Sequence, residues 1–221
     1  MGRCLKKKSL FITFEGIEGS GKSYQSKILY RKLKKIKIPV ILTREPGGTK
    51  GAEKIREIIL KDYFDFKPSE KFNKYTDTLL YLAARNEHVE KKLIPAISKK
   101  KTIICDRFID STTAYQVYGK KVNKNLIDSV HKHILGKLKP DLTFILKTKV
   151  SKALKRLKKR KIKNRYDKFS KNFYKKVQSG FIKIGKTNKT RYIVLDNSSD
   201  TNTAEKIIFQ TVIKLLKHEK I

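Results

Sequence analysis

The run Gly16-Ile17-Glu18-Gly19-Ser20-Gly21-Lys22-Ser23 fits the pattern G-x-x-x-x-G-K-[ST] at every fixed position. Glycines let the backbone turn its N–H groups toward phosphate oxygens, and a helix starting at the end of the loop adds positive potential there. The Lys22 ammonium can reach the outer phosphates of a nucleoside triphosphate, and the Ser23 hydroxyl can hold Mg²⁺. Gly16 through Ser23 are therefore the expected ATP site. Such a loop works only between a strand and a helix. Before it, Ser9–Phe14 is short, apolar and β-prone, like a strand buried in a parallel sheet. After it, Ile28, Leu29, Leu33 and Ile36 recur at helical spacing, predicting a helix over Tyr24–Lys35.

The rest of the chain repeats this alternation. Leu10–Phe14, Val40–Thr43, Thr102–Cys105, Leu142–Leu146 and Tyr192–Leu195 read as strands with helical patterns between them, the last helix over Asn202–Lys217. The fold class expected is α/β with five parallel strands. At 221 residues, a single domain over 1–221 is expected, with room for a lid. The Lys- and Arg-rich stretch Lys152–Lys163 reads either as a solvated helix face or as a phosphate-covering lid. No stretch approaches the length of a membrane span. The apolar run after Lys6-Lys7-Lys8 is too short for a signal sequence and is broken by Glu15, so a cytoplasmic location is expected. Cys4 and Cys105 show no metal spacing, and Cys105 sits in an apolar run as a small buried hydrophobe would.

The charge is +35, from 55 Lys and Arg against 20 Asp and Glu. A nucleic-acid binder is one reading. The lysines, however, are spread over every predicted helix and form no single stripe, so functional nucleic-acid binding is not expected. The field would still attract anionic nucleotides and weaken with salt.

A phosphate loop alone does not separate a kinase from a GTPase or a motor. Three further segments do. Thr43-Arg44-Glu45-Pro46-Gly47-Gly48-Thr49 ends the second strand, Leu80-Tyr81-Leu82-Ala83-Ala84-Arg85 lies on a helix, and Asp106-Arg107-Phe108-Ile109-Asp110-Ser111-Thr112-Thr113-Ala114-Tyr115-Gln116 follows the third strand. With the glycine loop, they closely resemble the bacterial thymidylate kinases, in order from about Phe11 to Leu216. The strand ends would place two of them at the carboxyl edge of the sheet, where open α/β folds bind ligands. Arg56, Arg85 and Arg107 supply forked donors suited to a nucleoside monophosphate.

The resemblance implies a three-layer P-loop kinase fold with a short basic lid at about 156–168. The implied reaction is Mg²⁺-dependent phosphoryl transfer from ATP to dTMP, by a homodimer with no membrane role. It assigns Arg56 and Arg107 to the substrate phosphate, and Arg85, Thr112 and Gln116 to the thymine edge. Tyr81 stands where the family usually stacks a Phe on the base, and its hydroxyl needs a partner. Tyr115 would lie beside the sugar 2′ position. Glu45, Pro46 and Ser111 complete the substrate side. Ser23 is an implied Mg²⁺-side group, Asp106 reads as a Mg²⁺-side acid or an orienter of Arg107, Glu18 matches a family position that approaches the substrate or the metal, and Glu15 reads as structural. Arg107 would also lie near the transferred group, with Lys22 on the donor side. In the lid, Asn164-Arg165-Tyr166-Asp167 stands in place of a more acidic family pattern, with Arg165 first and Arg160 second as candidate catalytic arginines. Arg156 reads as part of the preceding helix. The competing readings are another nucleotide or deoxynucleoside kinase, a nucleic-acid-binding ATPase, and a nucleotide-binding module without catalysis.

Overall fold

A computed structural model describes residues 9–65, 71–159, 164–198 and 201–217. Five strands form its sheet: β1 Phe11–Glu15, β2 Val40–Arg44, β3 Thr102–Asp106, β4 Leu142–Lys147 and β5 Tyr192–Asp196. Their order is β2-β3-β1-β4-β5 and every pairing is parallel. Each strand runs one residue past its expected end, and each added residue is charged: Glu15, Arg44, Asp106, Lys147 and Asp196. The apolar pattern stops where the sheet stops being core and becomes ligand-facing edge.

The helices are α1 Lys22–Lys35, α2 Lys50–Asp65, α3 Lys74–His88, α4 Ile94–Ser98, α5 Ile109–Thr112, α6 Lys124–Leu135, α7 Val150–Lys158, α8 Lys171–Thr187 and α9 Thr201–Leu216. Wider π-helical turns join α3 to α4 at Val89–Leu93 and extend α5 at Thr113–Gly119. A 3₁₀ turn spans Arg165–Lys168. The Asn73 side chain caps α3 by accepting from the N–H groups of Tyr75 and Thr76, and Ser170 caps α8. By contrast, α1 starts behind Gly21 with no side-chain cap, leaving its first N–H groups for a ligand.

Alternating strand residues feed two faces. On one face, Ile12, Phe14, Ile104 and Phe144 pack against Leu29 and Leu33 of α1 and Ala204, Ile208 and Val212 of α9. On the other, Ile145 meets Ala153 and Leu157 of α7 and Val177, Phe181 and Ile184 of α8, while Phe11, Ile103 and Cys105 pack on Val89, Leu93 and Phe108. This is the expected three-layer arrangement. Cys105 is a free, fully buried thiol. Burial pushes its pKa well above the ordinary thiol value, so it is a packing residue. Cys4 lies outside the described residues. Among the described residues no helix is long and apolar enough to cross a membrane.

Candidate active site

The phosphate loop joins β1 to α1. Gly21 has φ +96, and a Cβ there would meet Asn197 Nδ2 at 2.3 Å, so both the conformation and the space require glycine. Asn197, just past β5, holds the loop by donating Nδ2 to the Ser20 carbonyl at 2.7 Å. Lys22 is buried, with Nζ donating to the Ile17 carbonyl at 2.8 Å. Burial first, then the nearby Arg107 guanidinium, pull its pKa down to about 8. The Ser23 hydroxyl donates to the Asp106 carboxylate. Arg156, in the last turn of α7, donates to the Gly19 carbonyl at 3.0 Å and lines the loop's cleft together with Lys22, Ser23 and Asn197.

A second cleft adjoins the first and shares Lys22, Ser23 and Glu18 with it; Arg44, Glu45, Arg56, Asp106 and Arg107 complete its charged lining. Arg107 follows β3 directly with φ +73, an uncommon conformation for a residue with a side chain. Four acceptors surround its guanidinium. NH1 donates to the Gly16 carbonyl and Ser111 Oγ, each at 2.9 Å, and NH2 to Glu18 Oε1 at 2.7 Å and more loosely to the Tyr115 hydroxyl at 3.5 Å. Its charge also lies 5.2 Å from the Tyr115 ring centre. Beneath it, Glu15 accepts from the Phe108 N–H at 2.7 Å and from the Ser111 hydroxyl at 2.5 Å. Burial and the neighbouring Asp110 raise the Glu15 pKa to about 8. Arg56 donates to the Pro46 carbonyl at 2.8 Å, and the Glu45–Pro46 peptide is cis.

A third, mostly apolar pocket lies beside Arg107 and is walled by Pro46, Tyr81, Arg85, Phe108, Tyr115 and Gln116. Arg85 is buried and nearly saturated. Its Nε and NH2 donate to Glu45 Oε2 at 2.8 and 2.7 Å, and NH1 reaches Thr112 Oγ1 at 2.8 Å and His131 Nε2 at 2.6 Å. Burial, then Arg85, lower the His131 pKa to about 3, so its neutral ring accepts from Arg85. His88 bridges Glu45 Oε1 at 2.9 Å and Thr43 Oγ1 at 2.7 Å. Burial opposes the charge of Glu45, but Arg85 and His88 outweigh it and hold the carboxyl below the usual carboxylate range. Of Arg85's five N–H groups, one on NH2 is left for the pocket among the described residues. Gln116 donates Nε2 to Asp77 Oδ2 at 3.0 Å, and its buried Oε1 has no partner. The Tyr81 hydroxyl finds its needed partner in the Tyr166 hydroxyl. The Tyr115 hydroxyl accepts the Glu18 backbone N–H at 3.2 Å, and its ring packs edge-on against Tyr166 and Phe181.

The structure thus gathers the phosphate loop, Ser23, Glu45, Pro46, Arg56, Tyr81, Arg85, Asp106, Arg107, Ser111, Thr112, Tyr115 and Gln116 at one sheet edge. Glu18 pairs with Arg107 and lines the same cleft as Ser23 and Asp106. One residue, Arg165, stands differently from expectation. Arg165 does not overhang the phosphates. It is 2% exposed and donates NH1 to the Ile59 carbonyl at 2.8 Å and to Asp77 Oδ1 at 2.5 Å, because a buried carboxylate captures it. Arg160 lies outside the described residues. Sequence reasoning missed Asp77, His88, His131, Tyr166 and Asn197. Asp77, Tyr81, Arg85 and His88 stand at i, i+4, i+8 and i+11, one face of a helix, and that spacing was the available signal. His131 and Asn197 carry no local signal.

Ser23 Oγ and the Asp106 carboxylate form a hard-oxygen pair at the mouth of the phosphate clefts, a donor set that fits Mg²⁺ bound with water and phosphate oxygens.

The sequence model of the family described as Thymidylate kinase matches residues 14–208. A thymidylate kinase of Sulfurihydrogenibium sp. is 41% identical over 202 residues, covering 91% of this chain and 96% of the relative. One from Pelotomaculum thermopropionicum is 37% identical over 209 residues, covering 94% and 92%. The crystal structure of thymidylate kinase from Ehrlichia chaffeensis superposes with a TM-score of 0.73 at 34% identity, covering 93% of this chain and 99% of that one. With the family's pattern matched over most of its length, this chain belongs to the thymidylate kinase family.

Proposed function

We propose that the three clefts work as one phosphoryl-transfer site, with ATP in the Gly16–Ser23 loop, the acceptor phosphate between Arg56 and Arg107, and thymine in the pocket of Arg85 and Gln116. The reaction is that of the family: the γ-phosphoryl group of ATP passes to the 5′-phosphate of dTMP, giving ADP and dTDP. One observation carries the substrate reading. Beside its hydroxyl groups, the pocket wall offers a donor in the remaining Arg85 N–H and an acceptor in Gln116 Oε1. Thymine presents the complementary pair, an O4 acceptor beside an N3–H donor. Cytosine reverses both.

Transfer between two anions asks for positioning and charge stabilisation. Lys22 meets the donor phosphates and Arg107 bridges the acceptor and the transferred group. Glu18 and Gly16 aim Arg107, and Glu15 holds Ser111 against it. Arg156 at Gly19 is the described lid-side arginine placed to join them, with Arg160 as a second candidate. Arg165 instead supports the base pocket. Mg²⁺ held on the Ser23–Asp106 side would neutralise phosphate charge when bound. No general base is needed, since the acceptor is already an anion.

The chain is proposed to act as one domain and as a cytoplasmic homodimer. Ile58 on α2 and Tyr75 and Leu79 on α3 are exposed apolar side chains that a second copy would cover. Light scattering tests the dimer. A coupled ADP-release assay with dTMP, dUMP, dCMP and AMP tests the function. dTMP should be far ahead of dCMP and AMP. Turnover that requires DNA and no monophosphate would overturn the reading.

A further inference from the structure

Asp77 lines none of the three clefts, yet Gln116 of the base pocket rests on it. It is completely buried in the first turn of α3. Oδ1 accepts Arg165 NH1 at 2.5 Å, while Oδ2 accepts Gln116 Nε2 at 3.0 Å and Lys120 Nζ at 2.6 Å. Three donors converge on one carboxylate from three parts of the chain.

An amide side chain can turn over, exchanging its oxygen and nitrogen, and only its partners decide which way it sits. A carboxylate paired with two cations offers acceptors alone. The Gln116 NH₂ must therefore face Asp77, and Oε1 must be the atom left without a partner at the pocket wall. We infer that Asp77 is a positioning residue for base selection: by holding the Gln116 amide in one orientation, it makes that wall an acceptor and so admits a base with an N–H at that edge. Arg165 is part of the device. By occupying Oδ1, it leaves Oδ2 as the oxygen turned to Gln116. The inference rests on the reading of the pocket as the thymine site.

Asp77→Asn tests it. The substitution is made in the Lys120→Met background, since the Lys120 ammonium also bonds Oδ2 and would compete for the amide oxygen; there Arg165 keeps that oxygen on its own side, so the new NH₂ takes the place of Oδ2 and opposes the Gln116 NH₂. Gln116 then turns over and presents a donor to the pocket. Calorimetric binding of dTMP should weaken about ten- to a hundredfold, the scale of a buried hydrogen bond turned into a donor–donor clash. dCMP, whose N3 is an acceptor, should change less than about threefold. Asp77→Glu, which restores the acceptor, should recover the dTMP-to-dCMP ratio even with a lower melting temperature. Lys120→Met removes a partner of Asp77 without offering a donor to Gln116 and should leave the ratio alone. Should Arg165 without its carboxylate unfold Asp77→Asn, the double variant Asp77→Leu with Arg165→Met, Lys120 intact, removes the buried cation and the acceptor together; the Lys120 ammonium then draws Gln116 Oε1 away from the pocket, and the dTMP-to-dCMP ratio should fall. A loss shared equally by dTMP and dCMP, or an unchanged ratio in a folded variant, overturns the inference. N3-methyl-dTMP, which has no N–H to donate, separates the two levels. If wild type binds it as well as dTMP, the thymine-edge reading itself fails; if wild type rejects it while Asp77→Asn leaves the ratio unchanged, only the role of Asp77 fails.

Discussion

Nucleotide binding to this protein should take up a proton, in an amount that rises with pH. Lys22 has a pKa of about 8, lowered by burial and by Arg107, and its ammonium rests on the Ile17 carbonyl. A polyphosphate beside it favours the charged form. If binding returns the group to the ordinary value of 10.5, uptake follows from the fraction neutral beforehand: about 0.1 proton at pH 7, about 0.5 at pH 8 and about 0.9 at pH 9. The terminal phosphate of ADP titrates near pH 6, so above pH 8 it contributes almost nothing. Titration calorimetry with ADP in two buffers of different ionisation enthalpy gives the proton count directly. Lys22→Met should abolish the pH-dependent part and most of the turnover while retaining the fold. Uptake that stays flat between pH 8 and 9, or that survives in Lys22→Met, would refute the assignment of Lys22 to the donor phosphates.

Arg107→Ala should lower kcat/KM for dTMP about a hundred- to a thousandfold, the usual scale for losing one transition-state donor, with ATP affinity nearly unchanged. Steady-state kinetics with each substrate varied checks this, and a loss confined to ATP would place the residue on the wrong side. Tyr115→Ala should narrow the preference for dTMP over its ribose analogue, by about ten- to two-hundredfold at most. An unchanged ratio of kcat/KM values in a folded variant would make Tyr115 a packing residue only. Glu15 predicts a pH dependence of stability. Its folded pKa of about 8 stands above the ordinary 4.5, so between those values the native state binds more protons than the unfolded one, and stability falls as pH rises. Urea midpoints from pH 5 to 8.5 should drop in wild type, and Glu15→Gln, which cannot titrate, should remove that part of the slope; identical slopes would sink the assignment.

The phosphate loop was legible because its chemistry is local. Backbone N–H groups, glycine conformations and one lysine act within Gly16–Ser23, so their spacing carries the mechanism. The strands were legible because both faces of a central parallel strand are buried, which leaves continuous apolar runs. The same rule hid their last residues, since Glu15, Arg44 and Asp106 belong to the site and interrupt the pattern. The thymine side was reached through the family's motifs. Those motifs named Arg85 and Gln116 but did not say which of their atoms face the base.

Tertiary structure decided the partners. A charged side chain takes the nearest opposite charge that burial offers, and that depends on contacts far along the chain. Glu18 could have served the substrate side or a metal, and it meets Arg107, 89 residues away. Arg165 could have covered phosphate, yet it meets Asp77, 88 residues away. His131 is an ordinary histidine in sequence; only its burial beside Arg85 makes it a neutral acceptor. The π-helical turn Thr113–Gly119 that carries Tyr115 and Gln116 has no local signature that its neighbours lack. Its wider winding and the Asp77 carboxylate together set where those two side chains stand. The sequence by itself determined the sheet and the phosphate loop, because periodicity and local backbone chemistry are written along the chain. Which acid holds which base, and which way an amide faces, was decided only when folding brought distant residues into one buried space.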